Sequence, residues 1–380
     1  MAGSQTKLIH CDDETSRVPD VAPPINVAAT FKYPEDPAKL VTAEEVESEE
    51  GWVANGSPIY SRISHPNSES AEALMTGFLG RPTVLYNTGL ASFNALLFHY
   101  HPKRIFFDRC YHGCHGMANL MTRWGALEQH TLSDEDLDKY LQAGDLLHLE
   151  TPVNPDGTSF DISYYAQKAH EKGAFLSVDS TFAPYPLQDP FAFGADVVMH
   201  SGTKYFGGHS DLLAGVLVVK DSKTRHQLLE DRIYLASNIS NLDAFLLLRS
   251  LRTYELRIRQ QSSNAEKLVK YLADKKGEYK VLDKISHSSL QTEAFVKKQL
   301  PNGFGPVFTI EVTDAEIARV FPSKLKYFHH ATSLGGVESL IEWRALSNAD
   351  AAKTILRISV GIENVEDLIE DFDQALRSFN

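Results

Sequence analysis

Cysteine is scarce in this chain: three residues, an odd number, spread over 380 positions. That excludes a disulfide framework and points to a reducing compartment. No apolar run approaches the roughly 20 residues a membrane span needs, and the start, Met1-Ala-Gly-Ser-Gln-Thr-Lys7, has no secretory core. A cytoplasmic protein with no membrane partner is expected. Surplus positive charge is missing as well. A formal net charge of −13 excludes a general nucleic-acid or anionic-membrane surface, while leaving room for a pocket that holds one phosphate. Neither a GxGxxG nor a Walker-type GK(S/T) run occurs, so nucleotide binding is not indicated. Internal repeats and low-complexity tracts are lacking too. What remains, 43% hydrophobic and 23% charged residues, is ordinary for a globular enzyme. At 380 residues the chain exceeds the usual single-core limit, and two domains are expected.

The stretch richest in chemistry is Ala195-Asp-Val-Val-Met-His-Ser-Gly-Thr-Lys-Tyr-Phe-Gly-Gly-His209. Its apolar part, 197–199, reads as a buried parallel strand. The run stops at Ser201-Gly-Thr-Lys204, and Gly207-Gly208 forbids an ordinary helix or strand. Lys204 therefore stands at the carboxyl edge of a sheet, where open α/β folds place ligands. Once burial lowers its pKa, a lysine amine forms an imine with an aldehyde. Ser201 and Thr203 can offer hydroxyl donors to a phosphate. An aldehyde and a phosphate on one cofactor suggest pyridoxal 5'-phosphate (PLP). Taken alone, the stretch also reads as a surface lysine following a strand.

Residues 1–50 read as an arm, punctuated by Pro19, Pro23, Pro24, Pro34 and Pro37, with an acidic run at 44–50 that reads as a solvated helical turn. Having little core of its own, the arm is expected to pack on a neighbouring subunit. Residues 51–238 form the expected large, PLP-binding domain. Within 58–67, Tyr60 and Arg62 set a phenol beside a guanidinium fork, apt for a phosphate; a surface arginine stacked on tyrosine is the other reading. Asn67 or Ser68 is expected to cap a helix over 69–80. A strand at 83–86, the turn Asn87-Thr-Gly-Leu-Ala-Ser92 and a helix to about Tyr100 aim the Gly89 and Leu90 amides at an anion. After a strand at 105–108, Arg109-Cys-Tyr-His-Gly-Cys-His115 invites a zinc reading, yet its spacing is no recognised ligand pair. The alternative lays Tyr111 flat over a planar cofactor, with Gly113 admitting a close backbone.

A strand at 145–150 leads into the rigid loop Thr151-Pro-Val-Asn-Pro-Asp-Gly157. There Asn154 either bonds a phenolic oxygen or is an ordinary turn residue. A helix at 163–172 precedes a strand at 174–178 that ends in Asp179. An unpaired carboxylate is costly there. A pyridinium nitrogen would pair it, as an electron-sink cofactor requires; a cap or turn role is the alternative. A strand at 213–219 and a helix from 222 towards 234 complete this part. Residues 239–380 form the second, α+β domain, entered through an amphipathic helical bridge at 241–275. Strands at 307–312, 331–333 and 355–360 alternate with helices at 315–320 and 365–378. Arg357, within an otherwise apolar strand, needs an anion: a substrate α-carboxylate or an internal Asp or Glu.

The order of these motifs resembles the Cys/Met-metabolism PLP enzymes: cystathionine γ-synthase, cystathionine γ- and β-lyases, methionine γ-lyase and O-acetylhomoserine sulfhydrylase. The likeness begins with Thr6-Lys-Leu-Ile-His10, Pro23-Pro-Ile25 with Thr30-Phe31, Tyr60-Ser-Arg62 and Glu150-Thr-Pro-Val-Asn-Pro155. It continues through Val178-Asp-Ser-Thr-Phe182 and His200-Ser-Gly-Thr-Lys-Tyr205 with Gly207-Gly-His209. It ends with Ser333-Leu-Gly-Gly-Val-Glu-Ser-Leu340 and Leu356-Arg-Ile-Ser-Val-Gly-Ile-Glu363. It implies the aspartate-aminotransferase-like architecture, fold type I: a large α/β domain with a mostly parallel seven-stranded sheet, plus the smaller α+β domain. It also implies that Lys204 carries PLP as an imine and shuttles protons, that Asp179 holds the pyridinium and that Tyr111 stacks on the ring. Gly89, Leu90, Ser201 and Thr203 would hold the phosphate, joined by Tyr60 and Arg62 from the adjacent subunit. Asn154 would serve cofactor and substrate alike, and Ser333 and Arg357 would anchor the substrate.

Such shared sites imply a homo-oligomer, a dimer at least and commonly a tetramer. The implied activity is γ-replacement or γ-elimination on O-activated homoserine or a sulfur amino acid, as in cystathionine γ-synthase. Cystathionine β/γ-lyase or C–S lyase activity, and a non-catalytic PLP-binding protein, are the alternatives. The chain departs from the family pattern at Asn26-Val27, Asn87-Thr-Gly-Leu90 and Asp179-Ser-Thr181. After Leu340 it carries only Ile341-Glu-Trp-Arg-Ala-Leu-Ser347, where relatives have a longer Met-Thr-His loop. Ser333-Leu334 resembles γ-synthases and γ-lyases more than β-lyases, and Trp343 and Arg344 could form a different distal wall.

Overall fold

Short apolar segments between polar turns build the first sheet, whose seven strands are β1 (Thr83–Tyr86), β2 (Arg104–Phe106), β3 (Glu128–His130), β4 (Leu146–Glu150), β5 (Phe175–Asp179), β6 (Val197–Ser201) and β7 (Gly215–Val219). The structure, a computed structural model, describes residues 2–40, 42 and 58–379; the acidic run at 44–50 lies outside the described residues. The strand order is β1-β7-β6-β5-β4-β2-β3. Only β7 runs against its neighbours, so the sheet is mostly parallel. Alternate residues face two cores: Leu85 and Val198 pack on one side, Val84, Tyr86, Val197 and Met199 on the other. Covered on both faces, the central strands of the sheet read as largely apolar runs. Each fully buried Leu or Val contributes about 1.5–3 kcal/mol relative to exposure.

The second sheet comprises β8 (Leu282–Ser286), β9 (Val307–Val312), β10 (His329–His330), β11 (Leu340–Trp343) and β12 (Ile355–Ser359), ordered β10-β11-β12-β9-β8. It is antiparallel except between β10 and β11. Helix Tyr254–Lys275 joins the two parts: Tyr254 and Ile258 belong to the core of the first, Ala265, Leu268 and Leu272 to that of the second. Among the described residues no helix is long and apolar enough to cross a membrane.

Several local expectations change. The helix expected at 69–80 starts earlier, as Pro66–Leu79, and His65 caps it: its Nδ1 accepts from the Ser68 amide while Ser68 Oγ accepts from the His65 amide. Pro66 fits because the first helical position has no amide to satisfy. The bridge at 241–275 is two helices, Asn241–Leu251 and Tyr254–Lys275. Between them Arg252 turns to the arm, donating to Leu8 O at 3.0 Å and to Asp12 Oδ1 at 2.7 Å. The first turns of the arm thus pack on their own chain, with Leu8 fully buried. No strand forms at 331–333; Ser333 instead adopts φ 77°, a left-handed conformation that a strand excludes.

Candidate active site

Lys204 follows the end of β6 in a tight turn, and its Nζ donates to Ser333 Oγ at 2.7 Å. Burial, aided by the charge of Arg357 and opposed by Glu342, lowers this amine to about 8. It lines a cavity of ≈ 390 Å³ at the carboxyl edge of the first sheet. On the neighbouring strand β5, Asp179 stands in register with Met199 of β6 and Glu150 of β4. Its Oδ1 accepts from the Thr181 amide (2.9 Å) and hydroxyl (2.6 Å). Burial pushes the Asp179 carboxyl up to about 6, against the pull of the Thr181 bonds. Among the described residues no cation pairs with it.

Gly89 and Leu90 open helix Gly89–Tyr100, where backbone amides have no acceptor within the helix. Thr88 caps that helix, accepting from the Ala91 amide at 3.0 Å. Ser201 and Thr203 also line the cavity. The Thr203 hydroxyl is engaged with Ala214, donating to its carbonyl at 3.3 Å and accepting from its amide at 3.0 Å; Ser201 has the freer hydroxyl of the two.

Tyr111 stands just before helix His112–Arg123, without a side-chain capping bond, and lines the cavity. Gly113 leaves room for its ring: a Cβ there would meet Tyr111 Cε1 at 2.5 Å. Glu150, to which the sequence reading gave no role of its own, holds both neighbouring site residues. Its Oε2 accepts from the Tyr111 amide (2.6 Å) and its Oε1 from the Asn154 amide (2.7 Å). Burial, then the nearby Asp179 charge, raises its carboxyl well above the usual range. The signal was the one that exposed Asp179, an acid at the end of an apolar strand. Among the described residues no group of three or more His, Cys, Asp or Glu is placed to hold a metal ion; His115 Nε2 pairs instead with Asp108 O at 3.0 Å.

The opposite wall comes from the second sheet. Arg357 of β12 donates to Asn154 Oδ1 (3.1 Å) and to Ser333 O (2.8 Å), and pairs with Glu342 of β11 at 2.6 Å. Sequence reading left open whether Arg357 meets a substrate or an internal acid; it meets an internal acid and still lines the cavity. Gly335, at φ +86°, lets the Ser333–Gly336 loop lie on the Lys204 turn, where a Cβ would come within 2.9 Å of Lys204 C and Tyr205 N. Of the expected distal pair, only Arg344 lines the cavity. Trp343 alternates to the other face of β11, packs on the second core, and donates from Nε1 to Lys353 O at 2.7 Å. Tyr60 and Arg62 are not brought to the cavity by their own chain: both are exposed, and Arg62 donates to Ile233 O at 3.0 Å.

This donor set fits PLP. A buried lysine with a depressed pKa suits an aldehyde, a buried acid lacking a cation suits a ring N–H, and a helix start with free amides suits a phosphate. Fold and site are those of a PLP-dependent enzyme. The chain belongs to the family of Cys/Met metabolism PLP-dependent enzymes, whose model matches residues 5–377. It is 33% identical over 402 residues to cystathionine β-lyase of Lactococcus lactis subsp. cremoris, with 99% of each chain covered. It is 31% identical over 388 residues to cystathionine γ-synthase of Escherichia coli, covering 95% of this chain and 94% of that protein. The crystal structure of an apo methionine γ-lyase from Micromonospora echinospora superposes with a TM-score of 0.84 at 30% identity, covering 99% of both. The protein is therefore a PLP-dependent enzyme of trans-sulfuration type, with a small amino acid as substrate.

Proposed function

We propose that the enzyme catalyses γ-replacement or γ-elimination on O-activated homoserine or a sulfur amino acid, in the manner of a cystathionine γ-synthase. The observation that carries this is the Lys204 amine, buried, lowered to about 8 and held by Ser333 Oγ at 2.7 Å inside the cavity. When bound, PLP supplies the electron sink that makes protons on the substrate carbons acidic. Lys204 is the base that removes the Cα proton and then acts at Cβ, so that the γ-substituent leaves. Ser333 holds Nζ in reach. Asp179, fixed by Thr181, would pair with the pyridine N–H of PLP, and Tyr111 would pack against its ring. Gly89, Leu90 and Ser201 would hold the phosphate, with Thr203 available if its bond to Ala214 O exchanges. Asn154 and Arg357 orient the substrate. Leu334, a buried aliphatic residue on the cavity wall, favours γ over β chemistry in this reading.

The reading extends to a cytoplasmic homo-oligomer, dimeric at least, in which Tyr60 and Arg62 complete the neighbour's phosphate site. It keeps the division into an arm (1–50), a PLP-binding domain (51–238) and an α+β domain (239–380). β-Elimination of cystathionine is the second reading, supported by the 33% identity to a protein named cystathionine β-lyase. Holoenzyme offered O-acetylhomoserine with and without cysteine, cystathionine, and methionine separates these. Cystathionine formed from O-acetylhomoserine and cysteine supports the γ-synthase; pyruvate and homocysteine from cystathionine, with no γ-products, would replace it by the lyase. Lys204→Ala is expected to lower turnover at least about a thousandfold, and retained turnover refutes the assignment of the base.

A further inference from the structure

Strand β11, the turn after it and strand β12 bring three charges together beside the cavity: Glu342, Arg344 and Arg357. Glu342 pairs in register with Arg357. Its Oε2 accepts from Arg344 Nη1 at 2.7 Å and forms an ion pair with Arg357 Nη2 at 2.6 Å, and the side chains are all 6% exposed or less. Two guanidinium groups share one carboxylate, which leaves one buried positive charge. Arg344 is also short of acceptors. Nη1 reaches Glu342 and, at 3.0 Å, Ser347 Oγ, while Nε is buried without a partner among the described residues. Arg344, Ser347 and Arg357 all line the cavity. A surplus buried cation is costly until an anion completes it.

We propose that Arg344 and Arg357 form a two-guanidinium clamp for a single carboxylate, the α-carboxylate of the amino-acid substrate. Charge decides between one acid group and two: two arginines less Glu342 leave one positive charge, and one carboxylate balances it. Geometry shows why Arg357 does not suffice. Its Nη1 donates to Asn154 Oδ1 and its Nη2 to Ser333 O, with the Glu342 carboxylate ion-paired at 2.6 Å from that same Nη2. Arg344 supplies donors that Arg357 has already committed. Glu342, touching both, fixes their separation and is a positioning residue. The inference rests on the reading that the cavity takes an amino acid onto PLP.

The test titrates PLP-loaded wild type and R344M with methionine and with its carboxamide, reading binding from the cofactor's visible band without need of turnover. R344M is expected to weaken the acid by about 10- to 100-fold, the size of a lost charged hydrogen bond, and to leave the amide unchanged. Should R344M fail to fold, R344K carries the same test: it keeps the charge but not the fork, and its acid-to-amide ratio falls between. Equal losses for acid and amide, or an unmoved ratio, overturn the clamp while leaving the proposed function intact. So does a loss confined to amino acids bearing a second acid group, such as O-succinylhomoserine, which would turn Arg344 towards the distal end. A wild-type holoenzyme that responds to no amino acid overturns the parent reading and this one together.

Discussion

Lys204 owes its reactivity to desolvation more than to any single neighbour. Only the neutral amine attacks an aldehyde, and burial favours the uncharged form. With its pKa brought down to about 8, roughly a tenth of the protein is neutral at pH 7, against about one part in three thousand for an ordinary lysine. Reconstitution of the apoenzyme with PLP is therefore expected to quicken as pH rises and to level off above about 8, followed by the growth of visible absorbance. A midpoint near 10 would show that the amine is not desolvated. Lys204, Asp179 and Arg357 were legible in the sequence for one reason: each is an ionisable group in or just after an apolar strand, where its charge needs a partner. Glu150 carried the same signal, but its partners are two backbone amides, Tyr111 and Asn154, which no side-chain pattern announces. Glu342 was hidden because its strand was.

At the scale of elements, the strands that escaped the sequence are short or polar. β3 is three residues, Glu128–His130, and β8 exposes its centre; neither presents an apolar run or a clean alternation. β11 was read as loop because it is only four residues long, Leu340–Trp343, and ends directly in the turn bearing Arg344. The seven-stranded sheet was legible in outline because its central strands are buried on both faces. The Ser333–Gly336 loop is where backbone conformation matters most. Gly335→Ala adds both a left-handed penalty and a contact 2.9 Å from the Lys204 turn. A stability loss of about 1–3 kcal/mol is expected, with weaker PLP retention, read by melting temperature and by the absorbance left after dialysis. Unchanged values on both would mean that the loop is not seated on the lysine turn.

At the scale of the molecule, Tyr60 and Arg62 remain on the outside of the chain that carries them. If they complete a neighbour's phosphate site, two different defects should complement. Lys204→Ala and Arg62→Ala chains, each nearly inactive alone, are expected to recover about a quarter of wild-type turnover when unfolded and refolded together, since half of randomly paired dimers hold one intact site of two. No recovery in mixed dimers, verified by mass spectrometry, would place Arg62 outside the site. Sequence motifs singled out this pair, but a single chain has no surface on which to show what they face.

The helix Tyr254–Lys275 has a mechanical consequence. Its 22 residues run unbroken for ~33 Å, with the early turns anchored in one core and the later turns in the other. Such a helix acts as a keel, since bending it breaks the ladder of hydrogen bonds along its axis. A hinge placed within this helix would have to break that ladder, so the helix ties the two cores stiffly along its length.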